Sequence, residues 1–199
     1  MNSEVVRASI APATRAVVTR RIVAAGLGAL VVALSAQIVV PVSFSPVPMT
    51  LQPLAVLVVG ALLGGAAGLS ALLLYIALGM AGLPVFAAGG SGVARLLGPT
   101  GGYLLAFPVA AWITGTLTSP VLGPDRLPGA AGVLRVLLAC AVGMVVIHVG
   151  GVAQLALLGG DSALAFRMGF IPFLTGDLIK VGLAAVLILV AGPKIRALL

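Results

Sequence analysis

The segment GDLIK at 176–180 places a carboxylate, Asp177, and an ammonium, Lys180, three residues apart among neighbours such as Ile171, Phe173, Leu183 and Val186. On a helix that spacing puts both side chains on one face. An ionised carboxylate only accepts hydrogen bonds and an ammonium only donates them, so the pair can hold a neutral polar group that needs both. A third charge, Arg95, sits in the glycine-rich stretch PVFAAGGSGVARLLGPTGG, and its guanidinium fork matches an anionic group. A small molecule with an uncharged polar end and a carboxylate end would suit the set. The alternative use of Asp177 and Lys180 is a self-neutralising ion pair that fastens one helix to its neighbours.

Other polar residues in apolar surroundings narrow the chemistry. Gln37, Gln52, Gln154 and Tyr103 can bond across helices or meet a ligand. His148 is the only histidine, which excludes a multi-histidine metal site within one chain, and it reads as a hydrogen-bonded packing residue. Cys140, the only cysteine, excludes a disulfide within the chain and reads as a small buried hydrophobe. No Lys-Ser or Lys-Thr follows GPTGG as a phosphate-cradling loop requires, and no base accompanies Ser70 or Ser91. These residues point to binding rather than catalysis, with no metal and no cofactor.

The elements that must position them are helices in lipid. With 61% hydrophobic and 8% charged residues, and a mean hydropathy of +1.30, the chain carries more apolar side chain than a water-facing globule can hide. The net charge of +7 comes from bases scattered in short pieces between apolar runs, which excludes a nucleic-acid stripe. Six runs, at 22–42, 51–64, 66–83, 102–122, 133–158 and 171–190, predict an all-α integral membrane protein: a six-transmembrane-helix bundle. The second and third runs are short and read as a tight helical hairpin. ALSA in the first run imitates a signal-peptide cleavage site, but the run continues to Val42, so it reads as a retained helix.

Charge sets the orientation. With the N-terminus inside, Arg7, Arg15, Arg20, Arg21, Arg126, Arg135, Lys194 and Arg196 are cytoplasmic, while Arg95 and Arg167 are outside. Both termini are then cytoplasmic, residues 1–21 form a basic N-terminal segment, and 22–199 form the transmembrane domain. The Gly-rich loop emerges outside, on the side from which the last helix brings in Asp177 and Lys180. Ala25, Ala29 and Ala33 form a small-xxx-small row on the first helix, suited to close approach of another helix in this bundle or in a partner.

The stretches PVPMTLQPLAVLVVGALLG, ALLLYIALGMAGLPVFAAGGSG, LLGPTGGYL and IPFLTGDLIK, in this order over about 29–190, resemble the successive motifs of the BioY family. That family comprises substrate-binding S components of biotin transporters of the energy-coupling factor (ECF) type. The resemblance implies capture of biotin from outside a bacterial cell membrane. A transmembrane coupling protein and two cytoplasmic ATPases would supply the energy, although some members work without them. It places Asp177 and Lys180 in the biotin pocket, adds Tyr103 from PTGGY and Gln52 from TLQ, and makes the loop with Gly89, Gly90 and Arg95 a closing lid. It also turns the row Ala25, Ala29 and Ala33 toward the coupling protein. The alternatives are a gradient-driven or solo carrier of biotin or of another small vitamin.

Overall fold

Alanine, leucine and valine dominate the first apolar run, and in the computed structural model they continue one long helix, α1 (Ser3–Ser35). The structure describes residues 3–123 and 128–198, with side chains from residue 18 onward. Arg126 and the side chains of Arg7 and Arg15, which entered the charge count, lie outside the described residues. The domain division expected at residue 21 falls inside α1. The helix stops before the expected end of its run because Ile38, Val39 and Val40 are β-branched and Pro41 cannot continue a helix. There the chain forms a small antiparallel hairpin, β1 (Val39–Val40) with β2 (Met49–Thr50), Val39 facing Thr50 and Val40 facing Met49.

Two short helices follow, α2 (Gln52–Leu63) and α3 (Gly65–Met80), joined by Gly64 alone. Gly64 has φ +86, a conformation that a side chain at this joint would strain. At 1.5 Å per residue the pair measures about 18 and 24 Å, short of the roughly 30 Å of hydrocarbon in a bilayer. After a loop containing α4 (Val93–Leu97) come α5 (Gly101–Thr118), α6 (Ala130–Gly159), α7 (Ser162–Gly169) and α8 (Leu174–Arg196). Asp161 caps α7, its Oδ1 accepting from the N–H groups of Ala163 and Leu164 at 2.9 and 3.0 Å. Four helical stretches, Val18–Ser35, Gly101–Val121, Ala130–Gly159 and Ser162–Arg196, are long and apolar enough to cross a membrane. Four of the six expected crossings reach that length, and α2 and α3 are apolar but shorter.

Helix α5 is the axis of the bundle, packed against α2, α3, α4 and α6. Glycines make its crossings close. A Cβ on Gly60 of α2 would lie 2.7 Å from the Cα of Ala111, and one on Gly115 would lie 2.6 Å from the backbone nitrogen of Gly65. On the other side of α5, a Cβ on Gly102 would approach the backbone carbon of Gly150 in α6 to 2.8 Å. Close backbone approach is the usual substitute in lipid for a hydrophobic drive between helices.

The alanine row of α1 lies against this interior, the first of the two uses the sequence left open for it. Ala29 is buried in the bundle core, and Ala25 and Ala33 pack against the same cluster. The residues α1 turns outward are large: Ile22, Leu27, Leu30 and Leu34 are all exposed. Small side chains sit where α1 meets α3, so the row shortens a contact within this chain.

At the far end of α2 and α5 from Gln52 and Tyr103, two arginines close helix ends. Arg196 donates from Nε and Nη2 to the carbonyl of Ala61 at 3.1 and 2.6 Å, and Arg135 donates from Nε to the carbonyl of Leu117 at 2.7 Å. Both acceptors belong to the last turns of their helices, where carbonyls lack a partner within the helix and the dipole favours a cation. Arg196→Ala is expected to cost about 1–3 kcal/mol, the range for losing hydrogen bonds from a charged group. Thermal unfolding of the detergent-purified variant checks this.

Candidate functional site

Asp177 enters in the first turn of α8, directly after the Ile171–Phe173 turn with its Pro172. The positive end of the helix dipole favours a carboxylate at that place. Its Oδ1 accepts from Lys180 Nζ at 2.9 Å, three residues along the same helix. Its Oδ2 lies 2.6 Å from Nε2 of His148, on α6. A carboxylate only accepts, so Nε2 carries the proton and donates. Asp177, Lys180 and His148 are 6%, 5% and 7% exposed, so the three groups answer one another rather than water.

Rings close around the histidine. Phe170 meets it edge-on at 4.9 Å, Tyr103 edge-on at 6.1 Å, and Phe173 lies tilted at 6.1 Å. Nδ1 of His148 is buried and has no partner among the described residues. The hydroxyl of Tyr103 donates to the carbonyl of Gly169 at 2.6 Å, so this residue gives its ring to the site and its polar atom to the end of α7.

Asp177, Lys180, His148 and Tyr103 share one cavity with Gln52, Arg95, Thr50, Pro53, Phe86, Ala87, Phe107 and Phe173 on its walls. It is narrow, with a volume of about 60 Å³. Gln52, at the start of α2, donates to the hydroxyl of Tyr75 at 2.6 Å and accepts from Thr50 Oγ1 at 3.2 Å. One amide N–H and one lone pair of Gln52 remain for a guest. An apolar wall with a few converging polar groups is the usual make-up of a small-molecule site.

The 81–100 loop covers this end of the bundle and is fastened from three sides. Tyr75 donates to the carbonyl of Val85 at 3.1 Å. The amide of Gln37 donates to the carbonyl of Phe86 at 3.4 Å and accepts from the N–H of Gly89 at 3.1 Å. From α6, Gln154 donates to the carbonyls of Leu96 and Gly98 at 2.8 and 2.7 Å.

The structure thus gathers Asp177, Lys180, Tyr103, Gln52 and Arg95 on one cavity, but not Gly89 and Gly90. Gly89 has φ +68 and bonds Gln37, serving the bend of the loop. Gly90 lies beneath Arg95, where a Cβ would come within 2.6 Å of the guanidinium Nε. Both shape the loop from behind instead of lining the cavity. Arg95 is exposed at the cavity wall and forms no hydrogen bond or ion pair through its side chain among the described residues.

His148 is the site residue that the sequence reading left as packing. Its carboxylate partner is 29 residues away on another helix, and no local spacing announces such a pair. The available signal was its type, since an ionisable side chain within a membrane helix points to a site by default. Among the described residues, no group of three or more His, Cys, Asp or Glu side chains is arranged to hold a metal.

The profile of the BioY family matches residues 5–197. The chain belongs to the BioY family. The probable biotin transporter BioY of Pyrococcus horikoshii is 40% identical over 148 residues, which cover 74% of this chain and 82% of that protein. The biotin transporter BioY of Thermotoga maritima is 35% identical over 170 residues, 85% of this chain and 94% of that one. The same-named protein of Rhizobium etli is 34% identical over 170 residues, 85% and 91% of the two chains. A crystal structure of the S-component for biotin from an ECF-type ABC transporter matches with a TM-score of 0.74 at 24% identity. That match covers 90% of this chain and 92% of the other, and shows a shared fold. Family membership and four long apolar stretches make this BioY chain a helical, multi-pass membrane protein.

Proposed function

We propose that this BioY family member captures biotin at the cell membrane, as the S component of an ECF-type transporter. The carrying observation is the buried acceptor and donor pair, Asp177 Oδ1 and Lys180 Nζ at 2.9 Å, on the wall of an aromatic and aliphatic cavity. Biotin offers a ureido ring with N–H donors and a carbonyl, an apolar bicycle and a valerate carboxylate. Asp177 can accept from a ureido N–H, Lys180 can donate to a carbonyl or carboxylate oxygen, and Phe86, Phe107 and Phe173 bury the apolar part. Arg95, exposed and without a side-chain partner among the described residues, suits the carboxylate.

In this reading α2 and α3 complete a six-helix bundle, both termini and the basic segment 1–21 face the cytoplasm, and the 81–100 loop is the outer lid. The chain is a binding subunit rather than an enzyme. A transmembrane coupling protein and two cytoplasmic ATPases supply the energy that moves the loaded site from outside to inside, since binding alone only shifts populations. The relatives' descriptions and the shared fold support this assignment.

Calorimetric titration of the detergent-purified protein with biotin, with desthiobiotin and a second vitamin as comparisons, tests it. Biotin is expected to bind most tightly, and Asp177→Asn to weaken it about tenfold to a hundredfold, the worth of a hydrogen bond to a charged group. Tighter binding of the other vitamin would remove the substrate assignment. Unchanged biotin affinity in Asp177→Asn would return the pair to a purely structural role.

A further inference from the structure

We infer that His148 is a positioning residue of the ligand site, setting Asp177 and Lys180 as a paired edge selective for a cyclic urea or lactam. The inference rests on the proposed capture of biotin. Asp177 is held by two donors from two helices, Lys180 Nζ on Oδ1 at 2.9 Å and His148 Nε2 on Oδ2 at 2.6 Å. One donor alone would leave the carboxylate free to rotate about its Cβ–Cγ bond. Two donors on opposite oxygens fix its plane. Each oxygen still has a lone pair to offer.

The result is an acceptor and a donor side by side on the cavity wall, Asp177 Oδ1 beside Lys180 Nζ. Their complement is a group with an N–H and a C=O side by side, the cis-amide edge of a cyclic urea or lactam. An open-chain secondary amide is trans and points its N–H and C=O in opposite directions. Such recognition depends on the carboxylate's plane, and His148 sets that plane from outside the pair. Its own freedom is small, since Tyr103, Phe170 and Phe173 surround the ring. With Nε2 committed to Asp177 and Nδ1 buried without a partner among the described residues, the histidine has one polar task here.

The test compares wild type, His148→Leu and His148→Gln by titration with biotin and with a derivative methylated on both ureido nitrogens. Unfolding temperatures are measured alongside. Leucine fills the aromatic box but donates nothing, whereas glutamine keeps a terminal N–H close to the place of Nε2. His148→Leu is expected to weaken biotin about tenfold to a hundredfold and the methylated derivative much less, so that the preference for free N–H groups shrinks. His148→Gln is expected to recover most of both affinity and preference.

Equal weakening of the two ligands by leucine would mean that the ring only shapes the cavity, and would overturn the inference. So would a glutamine variant as weak as leucine while unfolding at the wild-type temperature, or a leucine variant that binds biotin like wild type. If leucine fails to fold, the glutamine variant decides: affinity and preference near wild type sustain the inference, and loss of the preference in a folded protein removes it. Wild type that does not bind biotin at all removes the functional reading first, a result distinct from these because it precedes any variant.

Discussion

Lys180→Met is expected to lower the unfolding free energy by about 3–5 kcal/mol, the cost of leaving one partner of a buried pair uncompensated. Asp177 and Lys180 are nearly as buried as the core around them, so water cannot replace the missing ammonium. His148 would remain as a single donor to Oδ2 and would leave Oδ1 unanswered. Adding Asp177→Asn should recover most of the loss, because an amide oxygen still accepts from His148 and no net charge stays behind. Denaturant or thermal unfolding of the two variants reads the stability, and titration with biotin reads the site. The double variant is expected to be stable and unable to bind biotin tightly. A double variant that binds like wild type would leave the pair with a structural task only.

That pair was legible because its chemistry is local. Two opposite charges three residues apart in an apolar run can be explained only by mutual neutralisation or by a site, and both explanations name the same two residues. Gln52 was visible because it opens a helix beside a loop at the same end, and Tyr103 through the resemblance of PTGGY to a family motif. His148 was not, since its meaning comes from α6 lying against α8, a relation between helices that spacing along one of them does not carry. Small residues are ambiguous in both directions. A row of alanines looks alike whether the approaching helix is foreign or, as for Ala29, a neighbour in the same bundle. Glycines in a loop likewise do not declare whether their space receives a ligand or, as at Gly90, the side chain of Arg95. The ends of helices were the least legible: Pro41 breaks a run that composition alone extends to Val42.

The second large effect is expected at a position with no side chain. Gly60→Leu should prevent recovery of folded, monodisperse protein, because the crossing of α2 over α5 leaves no room even for a methyl group. A Cβ at Gly60 meets backbone atoms of Ala111, its Cα at 2.7 Å and its carbonyl carbon at 2.9 Å. Backbone cannot rotate aside as a flexible side chain can, so the helices must separate, and that loosens the neighbouring approach of Gly68 to Gly60 as well. Overpacking of a close-packed interior costs about 1–3 kcal/mol when side chains can yield. Here the whole crossing must move, which puts the cost above that range. Size-exclusion chromatography in detergent, with Gly26→Leu as a comparison, measures it; a Cβ at Gly26 meets nothing within 4 Å and that variant should run like wild type.

The fastenings of the 81–100 loop have a consequence for how this protein can change. Gln37, Tyr75 and Gln154 grip the loop through carbonyls of Val85, Phe86, Leu96 and Gly98 and the N–H of Gly89, all of them main-chain atoms. Main-chain groups survive almost any substitution, so the attachment is indifferent to which side chains the loop displays. Ala87 and Arg95, which face the cavity from the loop, can therefore be exchanged without undoing the way it is tied down. Under the proposed function, closure and selectivity become separable traits, and a lineage can explore new cargo on this scaffold while retaining its latch.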